Sequence, residues 1–402
     1  MIKDNSFTHN MPTRKTSREY KAYQVLQHWK RTKKKYSAES LFNKKNTYFP
    51  LFQYLYQITK ELYFQIPKRK NGEKAFVHPI NIVLALKEAK ITDEVSLCGG
   101  IIHDYVEEKV DLYKRENKIK IDKKGIKELD DYEVVVFEEL EKKLNKICIK
   151  LKIDKIIVNK LINVTKLLTR HKRDYYFQSI SNIFTFSQDK ITHRALLIKL
   201  SDRMHNILCI ECFNEEERIY QCFKNLFLLN SAKKYMIEKY GKEVFTKTPY
   251  PPLELLYKRC CKATYDAFLR ICHLSSKKGV RNVKSILQLA FKKFALEQNG
   301  TRSVTSLVKK EPHPVRLFRG IIHKYDARLF HNWKKFDLDK ESEKKYCMNF
   351  FADFNFSEKK IQGIIDYKDA YALKEVVAYL LYVPDYFITG FEYSTFKKLK
   401  KV

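Results

Sequence analysis

Four residues of types that bind metal ions stand at three places in the first half of the sequence. His78 precedes Pro79, His103 is followed directly by Asp104, and Asp202 lies in the segment LIKLSDRMHNIL. Together they supply two imidazoles and two carboxylates, nitrogen and oxygen donors that suit manganese, iron, zinc or magnesium. An ion held by such a set makes water a nucleophile near neutral pH, in this case towards phosphorus. The set therefore indicates metal-assisted hydrolysis.

Further polar residues lie within one helical turn of this set. Glu107 and Glu108 follow the His-Asp pair by one turn, and Asn206 follows Asp202 by one turn. Residues 195–200 are apolar nearly all round, so Asp202 belongs to a buried helix, where a carboxylate is costly unless it is paired or binds a metal. The structural alternatives are a histidine that only caps or packs at a helix start, and glutamates that only pair with nearby lysines.

A basic pair precedes the first histidine. Arg69 and Lys70 stand in RKNG, a glycine-containing turn that leads into the helix opened by Pro79. Two cations at such a turn can meet a phosphate or stack on a base. The alternative is an exposed basic turn without a ligand.

The elements that position these residues are predicted to be helices. The sequence has only ten glycines and ten prolines in 402 residues, which favours helices over a turn-rich sandwich or barrel. Apolar residues recur at helical spacing from Tyr48 onwards, and Asp93 is the predicted cap of the helix that leads to the His-Asp pair. In that helix, Gly99 and Gly100 would let a neighbouring helix approach closely. The predicted fold class is mainly α.

Three regions follow from the pattern. A basic arm, 1–47, with a short helix near 17–31, precedes an all-helical domain over 48–245. The segment KTPYPPLE, 247–254, is rich in proline and is predicted to be a linker. A domain of unknown role, 246–402, then completes the chain.

The C-terminal region is predicted to be mostly helical, with an α+β arrangement as the alternative. The alternative depends on two aromatic and apolar segments that could form short strands, VRLFRGIIH at 315–323 and ARLFHNW at 327–333. A helix is predicted in YALKEVVAYLLYV.

The formal net charge of +32 is compatible with an anionic partner, such as a phosphorylated nucleotide, nucleic acid or an acidic membrane surface. It is equally compatible with a compositional bias, because lysines run almost evenly from Lys3 to Lys401 and only KRTKKKY at 30–36 forms a compact basic block. No stretch of about 18 apolar residues and no apolar leader occurs, so the expected location is the cytoplasm, without membrane insertion.

Nine cysteines fit a reducing compartment and free thiols. Cys209 and Cys212 have CxxC spacing, so a zinc site is an alternative. It would need further ligands, and the candidates are Cys260, Cys261, Cys272 and His273. Buried thiols are the default interpretation.

The sequence carries, in this order, the motifs RKNGEKAFVHPINIVLAL, GGIIHDYVEE, VTKL and LIKLSDRMHN. They resemble HD-superfamily metal phosphohydrolases, and more closely the hydrolase domain of the RelA/SpoT-type (p)ppGpp enzymes. The resemblance covers roughly 50–240. It implies an all-helical HD-domain bundle that binds one manganese ion and removes the 3′-pyrophosphate of (p)ppGpp as pyrophosphate by a metal-activated water.

The resemblance also assigns roles by position. The implied metal ligands are His78, His103, Asp104 and Asp202. The implied acidic pair that positions or activates water is Glu107 and Glu108, with Glu107 as the expected proton-handling residue. The implied nucleotide contacts are Arg69, Lys70 and Asn206.

The chain departs from the family pattern at two positions, of which Glu108 is one of those just named. Glu108 stands where an aspartate is usual, and Cys209 where a threonine is usual. The stretch between Asp104 and Asp202 is longer than usual, and 250–402 carries no recognisable synthetase motif. Two alternatives to (p)ppGpp hydrolysis therefore stay open. One is an HD phosphohydrolase of another nucleotide or phosphoester, and the other is a catalytically weakened HD protein that binds nucleic acid through its basic surface.

Overall fold

The computed structural model describes residues 36–278, 320–321 and 324–396. Within these ranges every regular element is helical and none is a strand, which confirms the predicted mainly α class. The α-helices are α1 Ala38–Leu41, α2 Phe49–Phe64, α3 Val77–Glu88, α4 Glu94–Ile102, α5 Tyr105–Glu116, α6 Lys123–Leu151, α7 Ile156–Leu168, α8 Tyr176–Thr185, α9 Asp189–Ile207, α10 Glu215–Tyr240, α11 Pro252–Ser276, α12 Trp333–Phe350 and α13 Glu358–Tyr382. No described helix is both long and apolar enough to span a bilayer. The arm helix predicted near 17–31 lies outside the described residues.

Helix α4 is fixed at its start by the predicted cap. The Asp93 carboxylate accepts a hydrogen bond from the Ser96 backbone N–H at 2.7 Å, which satisfies one of the free donors of the first turn. The same carboxylate accepts a hydrogen bond from the Arg194 guanidinium of α9 at 2.7 Å. The cap therefore also ties α4 to α9.

The paired glycines allow the close packing of α4 that the sequence predicts. A Cβ on Gly99 would lie 2.9 Å from Ile198 Cδ1 of α9, and a Cβ on Gly100 would lie 2.9 Å from Leu86 Cδ1 of α3. Both distances are shorter than a normal van der Waals contact. The end of α4, where the His-Asp pair follows, is thus held between α3 and α9.

Helix α9 lies at the centre of the described structure. It packs against α3, α4 and α7, and also against α11. Its apolar run, 195–200, is buried except for Lys199, and Asp202 comes one turn after Ile198 in the same buried helix. The charged stretch that begins after the His-Asp pair forms α5 and the 29-residue amphipathic helix α6.

The C-terminal region shares a core with the helices that carry the candidate site. Helix α11 begins at Pro252, inside the predicted linker, and packs against α9, α10 and α13. Glu254, near its start, is fully buried. The segment between α10 and α11 is therefore a short connection whose last residues already belong to a packed helix.

The alternative of a strand in ARLFHNW is wrong, and the prediction of a mostly helical region is confirmed there. Residues 324–329 are helical, a turn follows at 330–331, and α12 begins at Trp333. The Asn332 side chain caps α12 by accepting a hydrogen bond from the Lys335 backbone N–H at 3.2 Å. A short aromatic run fits helix and strand periodicity equally, so the sequence pattern alone does not distinguish the two. VRLFRGIIH lies mostly outside the described residues, and its residues 320 and 321 are helical.

Lys233 joins α10 to the end of α13. It is fully buried, and its ammonium donates to the carbonyl oxygens of Leu380, at 2.6 Å, and Val383. These carbonyls lie at the end of α13, where the last carbonyls have no partner within the helix. Because a hydrogen bond to a charged group contributes about 1.5–3 kcal/mol, we expect Lys233→Met to lower the free energy of unfolding by about 2–4 kcal/mol.

Urea unfolding followed by circular dichroism measures this change. The matched control is Lys142→Met, because Lys142 is exposed on α6. Equal stability of the two variants would show that the Lys233 contacts contribute nothing.

Candidate metal centre

The structure brings together the four residues that the sequence singled out as metal ligands. His78 is the second residue of α3, His103 ends α4, Asp104 is the N-cap of α5 and Asp202 lies in α9. Each offers one nitrogen or oxygen atom, and these four atoms all lie within 4.8 Å of one another. We call this set the four-ligand cluster.

The donor atoms face a common point. His103 Nε2 lies 3.0 Å from Asp104 Oδ2 and 3.2 Å from His78 Nε2. His78 Nε2 lies 3.3 Å from Asp202 Oδ1. Both imidazoles and Asp202 are buried, whereas Asp104 is half-buried and borders the neighbouring pocket. One side of the cluster is therefore accessible to a substrate.

Hydrogen bonds on the far side of each imidazole fix its orientation. His103 Nδ1 lies 3.0 Å from the Gly100 carbonyl oxygen, which can only accept, so Nδ1 carries the proton and Nε2 presents its lone pair to the cluster. His78 Nδ1 lies 2.8 Å from His205 Nδ1. Burial and the neighbouring His78 hold the pKa of His205 well below its ordinary value, so His205 is neutral, and the two Nδ1 atoms share one hydrogen bond.

The electrostatics favour ionised carboxylates. Burial alone would raise the pKa of Asp202, but Lys199 and His78 hold it well below its ordinary value. Lys199 Nζ lies 2.9 Å from Asp202 Oδ2, and the Asn206 amide donates to Asp202 Oδ1 at 2.6 Å. Burial also acts to raise the pKa of Asp104, but the effect of His103 helps to hold this pKa below its ordinary value. Both aspartates are thus ready to bind a cation at neutral pH.

These observations fit a divalent metal ion. The donors are two imidazole nitrogens and two carboxylate oxygens, each imidazole has a second partner behind it, and the cluster carries the negative charge that a cation would balance. Across the described ranges, this is the one group of at least three histidine, cysteine or acidic residues close enough to hold an ion. The four-ligand cluster can therefore hold a divalent metal.

The cysteines form no comparable site in the described ranges. All nine are free, and Cys209, Cys260, Cys261 and Cys272 are buried. Burial raises the pKa of the Cys261 thiol to about 12, which opposes the thiolate that zinc needs. The default interpretation of buried thiols agrees with this geometry.

Glu107, in the first turn of α5, is engaged by cations. The Arg170 guanidinium donates to Glu107 Oε1 at 3.2 Å, and the Arg170 backbone N–H donates to Oε2 at 3.4 Å. Lys172 Nζ lies 4.0 Å from the same carboxylate. Glu107 therefore holds the segment after α7 against the start of α5.

Glu108 has a different environment. Burial, together with the charges of Asp104 and Glu107, raises the pKa of Glu108 to about 7. The residue is half-buried and lines the same pocket as Asp104 and Asp202. A carboxyl group with a pKa near neutrality, beside a metal cluster, has the properties of a general acid or base.

The two residues of the basic turn take different positions. The Arg69 guanidinium donates to Asn206 Oδ1 at 2.8 Å, and Asn206 in turn donates to Asp202. Lys70 is more than half exposed, forms an ion pair with Glu217 at 2.5 Å and lies over the Phe213 ring. Arg69 is thus connected to the cluster, whereas Lys70 points to the protein surface.

Several residues of the pocket were not predicted from the sequence. The pocket beside the cluster contains four acidic residues and Asn206 from the predicted set, and also four cations, Arg170, Lys199, Arg203 and Lys224. Lys199 could have been found from its position three residues before Asp202. Lys224 carries a weaker signal, a single cation within the apolar run CFKNLFLL. Arg170 lies in a basic run after VTKLL, and nothing in its sequence context indicates that it is a pocket residue.

Comparison with known proteins gives two similar sequences. The chain is 29% identical over 147 residues to a Mycoplasma genitalium protein named "Probable guanosine-3′,5′-bis(diphosphate) 3′-pyrophosphohydrolase". It is 29% identical over 160 residues to the Mycoplasma pneumoniae protein of the same name. Part of this chain is similar to pyrophosphohydrolases.

These matches cover 36% and 38% of the chain and 16% and 17% of the two proteins. The chain therefore spans about one sixth of the length of the curated relatives it matches. No family model and no solved structure matches. The similarity supports a relationship to hydrolases of this type.

Proposed function

We propose that the protein is an HD-type, metal-dependent phosphohydrolase that removes pyrophosphate from the 3′ position of a guanosine nucleotide of the (p)ppGpp type. The single observation that carries the proposal is the four-ligand cluster, in which four donors from α3, α4, α5 and α9 meet at one side of a pocket. The names of the two similar proteins support the choice of substrate. Manganese is the proposed metal, and the nine free thiols agree with a cytoplasmic location.

In the proposed mechanism, some of these residues bind the metal or the nucleotide, and another transfers a proton. His78, His103, Asp104 and Asp202 would hold the ion, which supplies Lewis-acid activation of water and of the phosphoryl group. Arg69 contacts the nucleotide, and Asn206 holds both Arg69 and Asp202 in place. Glu108 is the proposed proton acceptor, and Glu107 positions Arg170. The contacts thus favour the opposite division of the acidic pair from the one expected from the sequence.

A panel of metals and substrates tests the proposal. Purified protein is loaded with manganese, magnesium, zinc or iron and incubated with ppGpp, with guanosine and adenosine diphosphates, and with a simple phosphodiester. Pyrophosphate and orthophosphate are assayed separately. We expect pyrophosphate from ppGpp with manganese, at rates far above the other combinations.

Other results of the panel identify the alternatives. Orthophosphate release, or faster turnover of another nucleotide, would indicate an HD phosphohydrolase of different specificity. No turnover, together with nucleic-acid binding that collapses steeply between low and moderate salt, would indicate a binding protein.

The different positions of Arg69 and Lys70 give a further prediction. We expect Arg69→Ala to raise KM for the nucleotide by about 10–100-fold, because a hydrogen bond to a charged group contributes about 1.5–3 kcal/mol. Lys70→Ala should change KM much less, because its ammonium is at the surface beside Glu217. Initial-rate kinetics on both variants, with metal content measured in parallel, check this. Equal effects of the two substitutions would contradict the assignment.

A further inference from the structure

The pocket beside the four-ligand cluster is lined by acidic and by basic side chains. The acidic residues are Asp104, Glu107, Glu108 and Asp202. The basic residues are Arg170, Lys199, Arg203 and Lys224. The acidic residues suit a metal ion, but a metal ion does not explain why four cations line the same pocket.

Three of these cations have partners that hold them. Arg170 pairs with Glu107 and Lys199 pairs with Asp202, at 3.2 and 2.9 Å. Arg203 donates to the Asn225 side-chain oxygen at 2.7 Å and to the Gln221 carbonyl oxygen at 2.9 Å. Their positions are therefore explained by contacts within the protein.

Lys224 is different. Its ammonium lies over two aromatic rings, 4.4 Å from the centroid of Tyr220 and 5.1 Å from that of Tyr176. No carboxylate in the described ranges forms an ion pair with it, and the charged groups that act on it most strongly are cations. Burial and these cations (Arg203, Arg170, Arg328 and Lys199) hold the pKa of Lys224 well below its ordinary value. An amine kept at this cost, facing a pocket, is expected to meet an anion there.

The scaffold around Lys224 is held by contacts within the protein. The Arg328 guanidinium lies 4.3 Å from the centroid of the Tyr220 ring and donates to the Glu216 carbonyl oxygen at 2.7 Å. The Tyr176 hydroxyl donates to the Lys224 carbonyl oxygen at 3.4 Å. Both rings that the ammonium lies over are thus held by contacts within the protein.

We propose that Lys224 is the binding residue for the distal phosphoryl group of a pyrophosphate ester whose proximal phosphorus lies at the four-ligand cluster. This inference rests on the proposed function and adds a reason why the site would select pyrophosphate esters over monophosphate esters. A monophosphate ester would fill the cluster end of the pocket and leave the Lys224 amine without an anion. A pyrophosphate ester would satisfy both ends, so the site selects pyrophosphoryl over phosphoryl groups.

Binding of inorganic pyrophosphate and orthophosphate to the manganese-loaded full chain tests the inference without turnover. We expect Lys224→Met to weaken pyrophosphate binding, measured by calorimetry, at least tenfold and to leave orthophosphate binding unchanged. Lys224→Arg should retain most of the pyrophosphate affinity, because it restores the cation. The exposed-lysine variant Lys142→Met is the control for the loss of one positive charge.

Thermal unfolding and metal content show whether each variant is folded and loaded, and Lys224→Gln replaces Lys224→Met if the latter does not fold. Unchanged pyrophosphate affinity in a folded Lys224 variant would overturn the inference, as would a wild-type protein that does not prefer pyrophosphate to orthophosphate. Pyrophosphate binding that depends on Lys224, in a protein that does not hydrolyse ppGpp, would support the subsite and refute the proposed substrate. Hydrolysis of ppGpp by a protein whose pyrophosphate binding does not depend on Lys224 would support the proposed substrate and refute the Lys224 subsite.

Discussion

Replacing Asp202 by alanine should abolish stoichiometric metal binding and hydrolysis while the helical fold survives. Asp202 provides one of four donors, and its carboxylate also pairs with Lys199 and with Asn206. Loss of an outer-shell partner of a metal ligand already costs roughly 10–100-fold, so loss of the ligand itself should cost more. Asp202→Asn, which keeps the shape and one oxygen, should bind metal more weakly than wild type and better than Asp202→Ala.

Elemental analysis of the purified variants, together with far-ultraviolet circular dichroism, measures the two effects separately. Asp189→Ala is the matched control, since Asp189 lies on the same helix, is exposed and forms an ion pair with Lys239 at the surface. An Asp202→Ala protein that still carries one metal ion per chain would remove Asp202 from the site.

Glu108→Gln should lower kcat by about 10²–10⁴, the range for loss of a general acid or base, with metal content unchanged. Burial beside Asp104 and Glu107 raises the pKa of Glu108 to about 7, so a large fraction of the group is protonated near neutrality. A base is active when ionised. Wild-type kcat should therefore fall as the pH falls through the pKa of Glu108. A bound cation stabilises the carboxylate and lowers this pKa, so the acidic limb of the loaded enzyme should lie below about 7.

The matched variant is Glu107→Gln on the adjacent position. Because Glu107 is occupied by Arg170, its replacement should disturb the segment after α7 and raise KM more than it lowers kcat. Glu108→Asp should keep measurable turnover, because aspartate still provides a carboxylate, on a side chain that is one methylene shorter. A Glu108→Gln enzyme with normal kcat and an unchanged acidic limb would exclude this residue from proton transfer.

The cluster could be predicted from the sequence because each member has a local signal. His78 stands at a proline-opened helix start, the His-Asp pair follows a capped helix with two glycines, and Asp202 interrupts an apolar helix. Each signal depends only on residue type and spacing, and the structure brings all of these residues to one point. Helix class was predictable for the same reason, since helical periodicity is strong over most of the chain.

The contacts of the other site residues could not be predicted, because they depend on packing that no local sequence pattern encodes. The sequence treats Arg69 and Lys70 as a pair, but one guanidinium turns inward to Asn206 and the neighbouring ammonium turns outward to Glu217. Likewise, adjacent glutamates on one helix turn differ in their partners, because Glu107 rather than Glu108 pairs with Arg170. Lys224 joins the pocket because α10 packs against α9, a contact between helices that sequence spacing does not reveal.

Under the proposed function, the hydrogen-bonded chain from Arg69 through Asn206 to Asp202 would make the nucleotide and the metal thermodynamically linked ligands. A nucleotide that draws the guanidinium of Arg69 away from Asn206 changes the hydrogen bond that Asn206 makes to a metal-binding carboxylate. Any resulting change in metal affinity must be matched by an equal change in nucleotide affinity when metal is added. The cellular supply of the metal would then set the nucleotide concentration at which the protein responds.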